Sequence, residues 1–189
     1  MKRLYLLFYN SISFFLWFFI FFQVLYSPLS FYSDISLVLK IAQTLAILDI
    51  CHSYLGLSTS FKWPSFLQIT TRLIFVWLIL EKYEVTRMGW GPLLMIGSWS
   101  IIEVVRYFYY FLKVKNNGKK ETPSFLVWFR YRLFIVLYPL GFAGEVFCLL
   151  KTNIIEGGMY ILFVPYFLGL IFMMKHMFWL GEKKLKKAR

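Results

Sequence analysis

The chain has 189 residues, of which 60% are hydrophobic and 22% aromatic, with 22 phenylalanines. A water-soluble domain of this size has too little interior to hide so much apolar surface, so that class is excluded. The formal charge of +12 would suit a nucleic-acid binder, but the basic residues gather in loops and at the termini. That pattern reads as membrane topology, and no nucleic-acid partner is expected.

The apolar residues come in blocks of about 20, the length that a hydrocarbon core of ~30 Å demands of a helix. Helix is the default in lipid because an open strand would leave its backbone unsatisfied. In chain order the blocks predict six spans: about Tyr5 to Tyr26, Ile35 to Leu57, Pro64 to Leu80, Trp90 to Leu112, Leu133 to Leu150 and Met159 to Leu180. The first is too long for a signal peptide and no small-residue cleavage site follows it. Without internal repeats or low-complexity linkers, residues 1–189 read as one all-α domain, a polytopic six-transmembrane-helix bundle with a basic tail at about 181–189.

Charge orients this bundle. Lys2 and Arg3, then Lys62, then Lys113, Lys115, Lys119 and Lys120, then Lys183, Lys184, Lys186, Lys187 and Arg189 all fall on one side of six spans. On the other side, Lys82, Arg87 and Lys151 are partly balanced by Glu81, Glu84 and Glu156. The asymmetry places both termini in the cytosol. Lys186 and Lys187 stand four and three from the end in Lys-Lys-Ala-Arg, which looks like the dilysine retrieval signal of endoplasmic reticulum membrane proteins; a basic anchor beside the last span has the same composition.

Ionisable groups inside a span are costly and by default mark function or pairing between helices. The second span carries Lys40, Gln43, Asp49 and His52, the third Arg72, the fourth Glu103 and Arg106, and the fifth Tyr138 and Glu145. Gln43, Asp49 and His52 share one broad helical face. Glu103 and Arg106 are three apart and can neutralise each other locally, and Asp49 and His52 have the same spacing. No second His or Cys stands near His52 at a ligand spacing, so no metal is expected. Cys51 and Cys148 both lie in apolar blocks and read as buried small hydrophobes.

The segment Tyr138-Pro-Leu-Gly-Phe-Ala-Gly-Glu145 concentrates the chemistry. Tyr138 and Glu145 are seven apart, nearly on one face and two turns apart. Pro139 removes a backbone donor, which predicts a kinked or loosened helix, and Gly141 and Gly144 let another helix or an acyl chain approach. With Arg130 and Arg132 at the cytosolic interface, Tyr138 lies roughly 9 Å inside. Glu145 then falls somewhat beyond the midplane, away from bulk water, where a carboxyl group is suited to general acid or base work.

An ordered set of residues then points to a family: Tyr9-Asn10; Gln43 through Asp49; His52-Ser-Tyr-Leu-Gly56 with Ser60; Thr71-Arg72 with Trp77; Trp99 through Tyr107; Arg130 through Glu145; and His176-Met177. In these residues the chain resembles the 3-hydroxyacyl-CoA dehydratases of very-long-chain fatty acid elongation, also called protein tyrosine phosphatase-like proteins. It departs from the family's usual pattern in having Asp49 where Glu is common and Thr71 where Ser is common. Neither cysteine is followed by an arginine at the spacing that phosphatase chemistry needs.

The resemblance implies removal of water from (3R)-3-hydroxyacyl-CoA to give trans-2-enoyl-CoA, without cofactor or metal, in the endoplasmic reticulum membrane beside other fatty acid elongation enzymes. It implies Tyr138 and Glu145 as the catalytic pair, with Glu145 the preferred acid/base because a tyrosine hydroxyl in its ordinary state is a poor base near neutral pH. Asp49, His52 and Gly141 would support the site, and Arg72 and Arg106 would find carboxylate partners or bind the thioester carbonyl. Arg130 and the loop lysines Lys113, Lys115, Lys119 and Lys120 would meet the CoA phosphates. A non-catalytic scaffold of the elongation enzymes and a small proton-linked transporter are the competing readings. The scaffold is disfavoured by the presence of both catalytic residues, the transporter by the lack of matched inverted halves.

Overall fold

The computed structural model describes residues 2–28, 30–57, 62–116, 122–152 and 163–187; side chains 62–65, 163–166 and 184–187 are not described. Among these residues the regular structure is helical, with no strand. Helix α1 (Lys2–Tyr26) is followed by α2 (Phe31–Leu45) and α3 (Ile47–Tyr54), which are separated only at Ala46. Helix α4 (Lys62–Ile74) continues through a π turn at Phe75–Ile79 into the short α5 (Leu80–Lys82). After a 3-10 turn, Gly89, with φ of 87°, starts α6 (Trp90–Lys115). Helices α7 (Ser124–Arg132) and α8 (Phe134–Leu150) abut at Leu133, and α9 (Phe163–Lys187) is the last.

Three stretches are long and apolar enough to cross a membrane by length and composition: Lys2–Tyr26, Phe31–Tyr54 and Ser124–Leu150. Helix α6 is equally long, but Glu103 and Arg106 at its middle lower its mean hydropathy.

The surface is unlike that of a water-soluble fold, because many large apolar side chains are exposed while several polar ones are buried. On α1, Phe8, Phe15 and Phe22 stand at heptad spacing and are all exposed, while Asn10 and Ser13 are buried. His52, Arg72, Ser98, Ser100, Glu103 and Glu145 are likewise buried. Aromatic side chains outside and polar ones inside is the arrangement that a hydrocarbon solvent stabilises. The interior is still closely packed: Trp17, Ile20, Ile35, Leu39, Met95 and Tyr107 belong to one core cluster, in which α1 packs against both α2 and α6.

Helices α6 and α8 come close along their backbones. A Cβ on Gly144 would lie 2.4 Å from the Met95 nitrogen and 2.6 Å from the Gly91 carbonyl oxygen, and one on Gly91 would meet Cys148 Sγ at 2.8 Å. Because the obstacle at Gly144 is backbone, a rotamer change cannot relieve it. Gly144→Ala should therefore cost about 1–3 kcal/mol by overpacking, read as a lower Tm of the detergent-solubilised chain. Gly141→Ala, whose Cβ would meet Ser98 Cβ at an ordinary 3.5 Å, should leave Tm close to that of the parent.

Helix α8 runs from Phe134 to Leu150 with Pro139 on its exposed side, and a break falls before it at Leu133, where the Val136 N–H reaches back to the Leu133 carbonyl. One local expectation needs correction. Cys51 is exposed, not buried, because it lies on the outer face of α3; Cys148 is buried.

Candidate functional site

One cavity lies between α4, α6, α8 and α9. Tyr138, Gly141, Phe142 and Glu145 of α8 line it together with Gln68, Thr71 and Arg72 of α4, Trp99 and Ile102 of α6, and Gly169, Leu170 and Met173 of α9. Its volume of about 70 Å³ is room for several water molecules, each needing ~10–15 Å³. Helical period explains the α8 contribution: positions 138, 141, 142 and 145 recur at three- and four-residue steps and so form one stripe. Gly141 leaves the wall between Tyr138 and Glu145 free of side chain.

Glu145 is only 6% exposed and shares the cavity wall with the indole of Trp99. Tyr138 is half-buried, with its ring against Phe134 at 5.8 Å between centroids. Arg72 is the charged group that acts on both. Its guanidinium lies 5.0 Å from the centroid of the Trp99 ring, whose face supports the cation. The combination of a hydroxyl, a carboxyl and a fixed cation around a small cavity can move a proton and stabilise a developing oxyanion.

Arg72 is held in turn by a chain of charges across the bundle. Its Nη1 donates to Glu103 Oε1 at 2.5 Å; the other oxygen of Glu103 accepts from Arg106 Nε at 2.5 Å. Arg106 Nη1 then donates to Asp49 Oδ2 at 2.6 Å, and the Tyr107 hydroxyl donates to the same oxygen at 3.0 Å. The Tyr9 and Tyr107 hydroxyls are 3.4 Å apart. Two cations alternate with two carboxylates, so the buried row is neutral as a whole, which is what makes such burial tolerable.

The sequence expectations divide here. Glu103 does pair with Arg106 on its own helix, but it also ties Arg72 of α4. The local Asp49–His52 pair does not form: Asp49 turns to α6, and His52 Nε2 is hydrogen-bonded to the Tyr5 hydroxyl at 2.9 Å, with the Tyr9 ring edge-on at 4.7 Å. Asp49, His52 and Arg106 thus lie outside the cavity and reach it only through Glu103 and Arg72. Gln43 is buried and does not join the network; its amide has no hydrogen-bond partner among the described residues.

Arg130 is separate again, with Nη2 donating to the Tyr110 hydroxyl at 3.3 Å and the guanidinium 5.3 Å from that ring's centroid. Among the described residues it has no carboxylate partner, and its buried Nε is unpaired. Lys113 and Lys115 end α6, with Lys115 Nζ 6.0 Å from the centroid of Phe111. Lys119 and Lys120 lie outside the described residues. Lys186 and Lys187 belong to the last turn of α9, their side chains undescribed.

Trp99 and Gln68 were not singled out from sequence as site residues. Trp99 had a signal: it precedes Glu103 by four on α6 and therefore shares its face. Gln68 had an equivalent one, four before Arg72.

The family described as protein tyrosine phosphatase-like protein, PTPLA, matches residues 43–187. Among individual relatives, the very-long-chain (3R)-3-hydroxyacyl-CoA dehydratase hpo-8 of Caenorhabditis elegans is 40% identical over 121 residues, 64% of this chain and 54% of the relative. The probable very-long-chain (3R)-3-hydroxyacyl-CoA dehydratase of Schizosaccharomyces pombe is 33% identical over 162 residues, 82% of this chain and 76% of the relative. Very-long-chain (3R)-3-hydroxyacyl-CoA dehydratase 1 of Mus musculus is 33% identical over 115 residues, 61% of this chain and 40% of the relative. The chain thus spans between two fifths and three quarters of the length of these relatives. No solved structure matches it.

Proposed function

Because the chain belongs to the protein tyrosine phosphatase-like protein family, PTPLA, we propose that it is a (3R)-3-hydroxyacyl-CoA dehydratase, releasing water to give the trans-2-enoyl-CoA. The observation that carries this reading is the single cavity shared by Tyr138, Glu145 and Arg72. A catalytic pair turned outward to lipid would have no means of holding a reacting centre.

In this reading C2 and C3 of the substrate lie between the two α8 side chains. The Glu145 carboxylate takes the proton from C2, which the thioester acidifies. The C2 electrons form the double bond to C3, and the C3–oxygen bond breaks as the Tyr138 hydroxyl protonates the departing hydroxyl to water. The proton on Glu145 then returns to the tyrosinate, and both groups are reset. Arg72 stabilises the transient negative charge, and its ion pair to Glu103 fixes it beforehand, so no reorganisation is needed during the reaction. No redox change occurs, and the reaction as written balances without a cofactor.

The remaining features support a consistent setting. Six spans with both termini cytosolic would put Arg130, Lys113 and Lys115 at the face where the CoA phosphates arrive, with Lys119 and Lys120 in the loop beside them. The buried, unpaired Nε of Arg130 suits it to an anionic ligand. Residence in the endoplasmic reticulum, retrieval through Lys186 and Lys187, and assembly with other elongation enzymes belong to the same reading. It is tested by dehydration of a purified long-chain 3-hydroxyacyl-CoA by the parent chain, Tyr138→Phe and Glu145→Gln. Turnover by the parent and its loss in both variants is expected; normal turnover in both variants would overturn the assignment of the pair.

A further inference from the structure

The cavity that holds Tyr138 and Glu145 carries one polar side chain that the acid/base chemistry leaves unused. Gln68 lines it from α4, four residues before Arg72. Residues at that spacing share one helix face, with Cβ atoms about 5–6 Å apart. Thr71 lines the cavity too, but its hydroxyl is turned to its own helix, with the Leu67 and Gln68 carbonyl oxygens at 3.1 and 3.0 Å. The half-buried Gln68 carboxamide makes no hydrogen bond among the described residues. It brings two N–H donors to the cavity without bringing a charge.

We propose that the Gln68 carboxamide donates a hydrogen bond to the thioester carbonyl oxygen of the substrate, so that with Arg72 it makes α4 the wall that receives the charge developing there. This rests on the dehydratase reading of the cavity and adds the residue that holds the carbonyl. The reacting unit presents three positions to the protein: the C2 hydrogen, the C3 hydroxyl and the thioester oxygen. Glu145 and Tyr138 of α8 serve the first two. As the proton leaves C2, part of its charge moves to the thioester oxygen, where a donor already in place lowers the barrier. Arg72 supplies positive charge, but its Nη1 is committed to Glu103 at 2.5 Å. The Gln68 N–H groups carry no such commitment among the described residues. A neutral donor has a second advantage, because it cannot pair with the Glu145 carboxylate and quench the base. Helix α8 then moves the protons, and α4 holds the oxygen.

The test uses the full chain in detergent with a long-chain 3-hydroxyacyl-CoA and, as a bound probe, the trans-2-enoyl-CoA labelled with ¹³C at C1. Gln68→Met keeps the length of the side chain and removes its donors. It should lower kcat about 10²-fold, the scale for loss of one such donor, with a smaller change in KM because the bond strengthens as charge builds on the oxygen. The infrared carbonyl band of the bound probe reads the contact itself. In the parent it should lie below its frequency in free enoyl-CoA, and Gln68→Met should move it back towards the free value. A variant that only loosened the packing would lower Tm and leave the band where the parent has it. Gln68→Glu, which offers an acceptor-only carboxylate beside Arg72, should act in the same direction if the methionine variant does not fold. Parent-like kcat, or a parent-like carbonyl band, in a folded variant of an active chain would overturn the assignment of Gln68. A parent chain that does not dehydrate the substrate would overturn the reaction itself, a result distinct from an active parent indifferent to Gln68.

Discussion

Glu145→Gln should lower dehydration by about 10²–10⁴-fold, the usual worth of a positioned acid/base group, while leaving the folded chain intact. The two expectations come from the same geometry. Glu145 is buried, beside the Trp99 indole and under the influence of Arg72. Glutamine keeps the volume and an acceptor oxygen, so the packing is preserved. It cannot take or return a proton, so the step at C2 loses its base. The loss should fall on kcat more than on KM, because the interaction removed is made in the transition state. Tyr138→Phe should fall in the same direction: it keeps the ring contact with Phe134 and removes only the hydroxyl. Size-exclusion profiles and Tm values matching the parent, with turnover gone, are the result that separates a chemical role from a structural one.

The largest effect on stability should come from Glu103→Ala. Glu103 is 4% exposed and holds Arg72 through one oxygen and Arg106 through the other, each at 2.5 Å. Its removal leaves Arg72 buried without its carboxylate and Arg106 with Asp49 alone. Breaking a buried pair from one side costs about 3–5 kcal/mol because the remaining charge stays desolvated, and here one residue serves two cations. Loss of expression, or a Tm well below that of Gly144→Ala, is expected. Arg132→Ala gives the contrasting measurement. Its ion pair with Glu182 joins two partly exposed side chains, and such pairs are worth about 0–1 kcal/mol. If both substitutions had equally small effects, the charged row would be a passive solvated face rather than a support for Arg72.

The network also explains how Asp49 can stand where the resembling family commonly has Glu. The shorter side chain still reaches Arg106 at 2.6 Å and takes the Tyr107 hydroxyl on the same oxygen. The long Arg106 side chain reaches from α6 to Asp49 on α3, so one methylene fewer on the acid is accommodated.

Several features were legible before any coordinates. Long apolar blocks specify helices, because only a closed internal hydrogen-bond pattern is tolerated in hydrocarbon. The seven-residue spacing of Tyr138 and Glu145 put them on one face of α8, and Gly144 announced a close helix crossing. These are properties of one helix at a time, and helical period is enough to state them. Which helix would meet that face was not legible. Nothing in the spacing of Glu103 and Arg106 reveals that the second oxygen of Glu103 reaches across to Arg72, nor that Asp49 prefers Arg106 to His52 three residues away. A carboxylate accepts from several directions, so a local partner does not exhaust it. The rotation of each helix against its neighbours decides where the remaining direction points.

Nor could the sequence announce the π turn at Phe75–Ile79, which re-aims the end of the third apolar segment. Trp77 within it donates to Thr44 Oγ1 at 3.3 Å, and beyond it Glu81 takes Lys40 at 2.9 Å. The residues of the site and their chemistry were therefore in the sequence, written by period and polarity. The cavity and the cation that serves it came only from the packing of four helices, because close approach between separate segments is set by the shape of both surfaces at once.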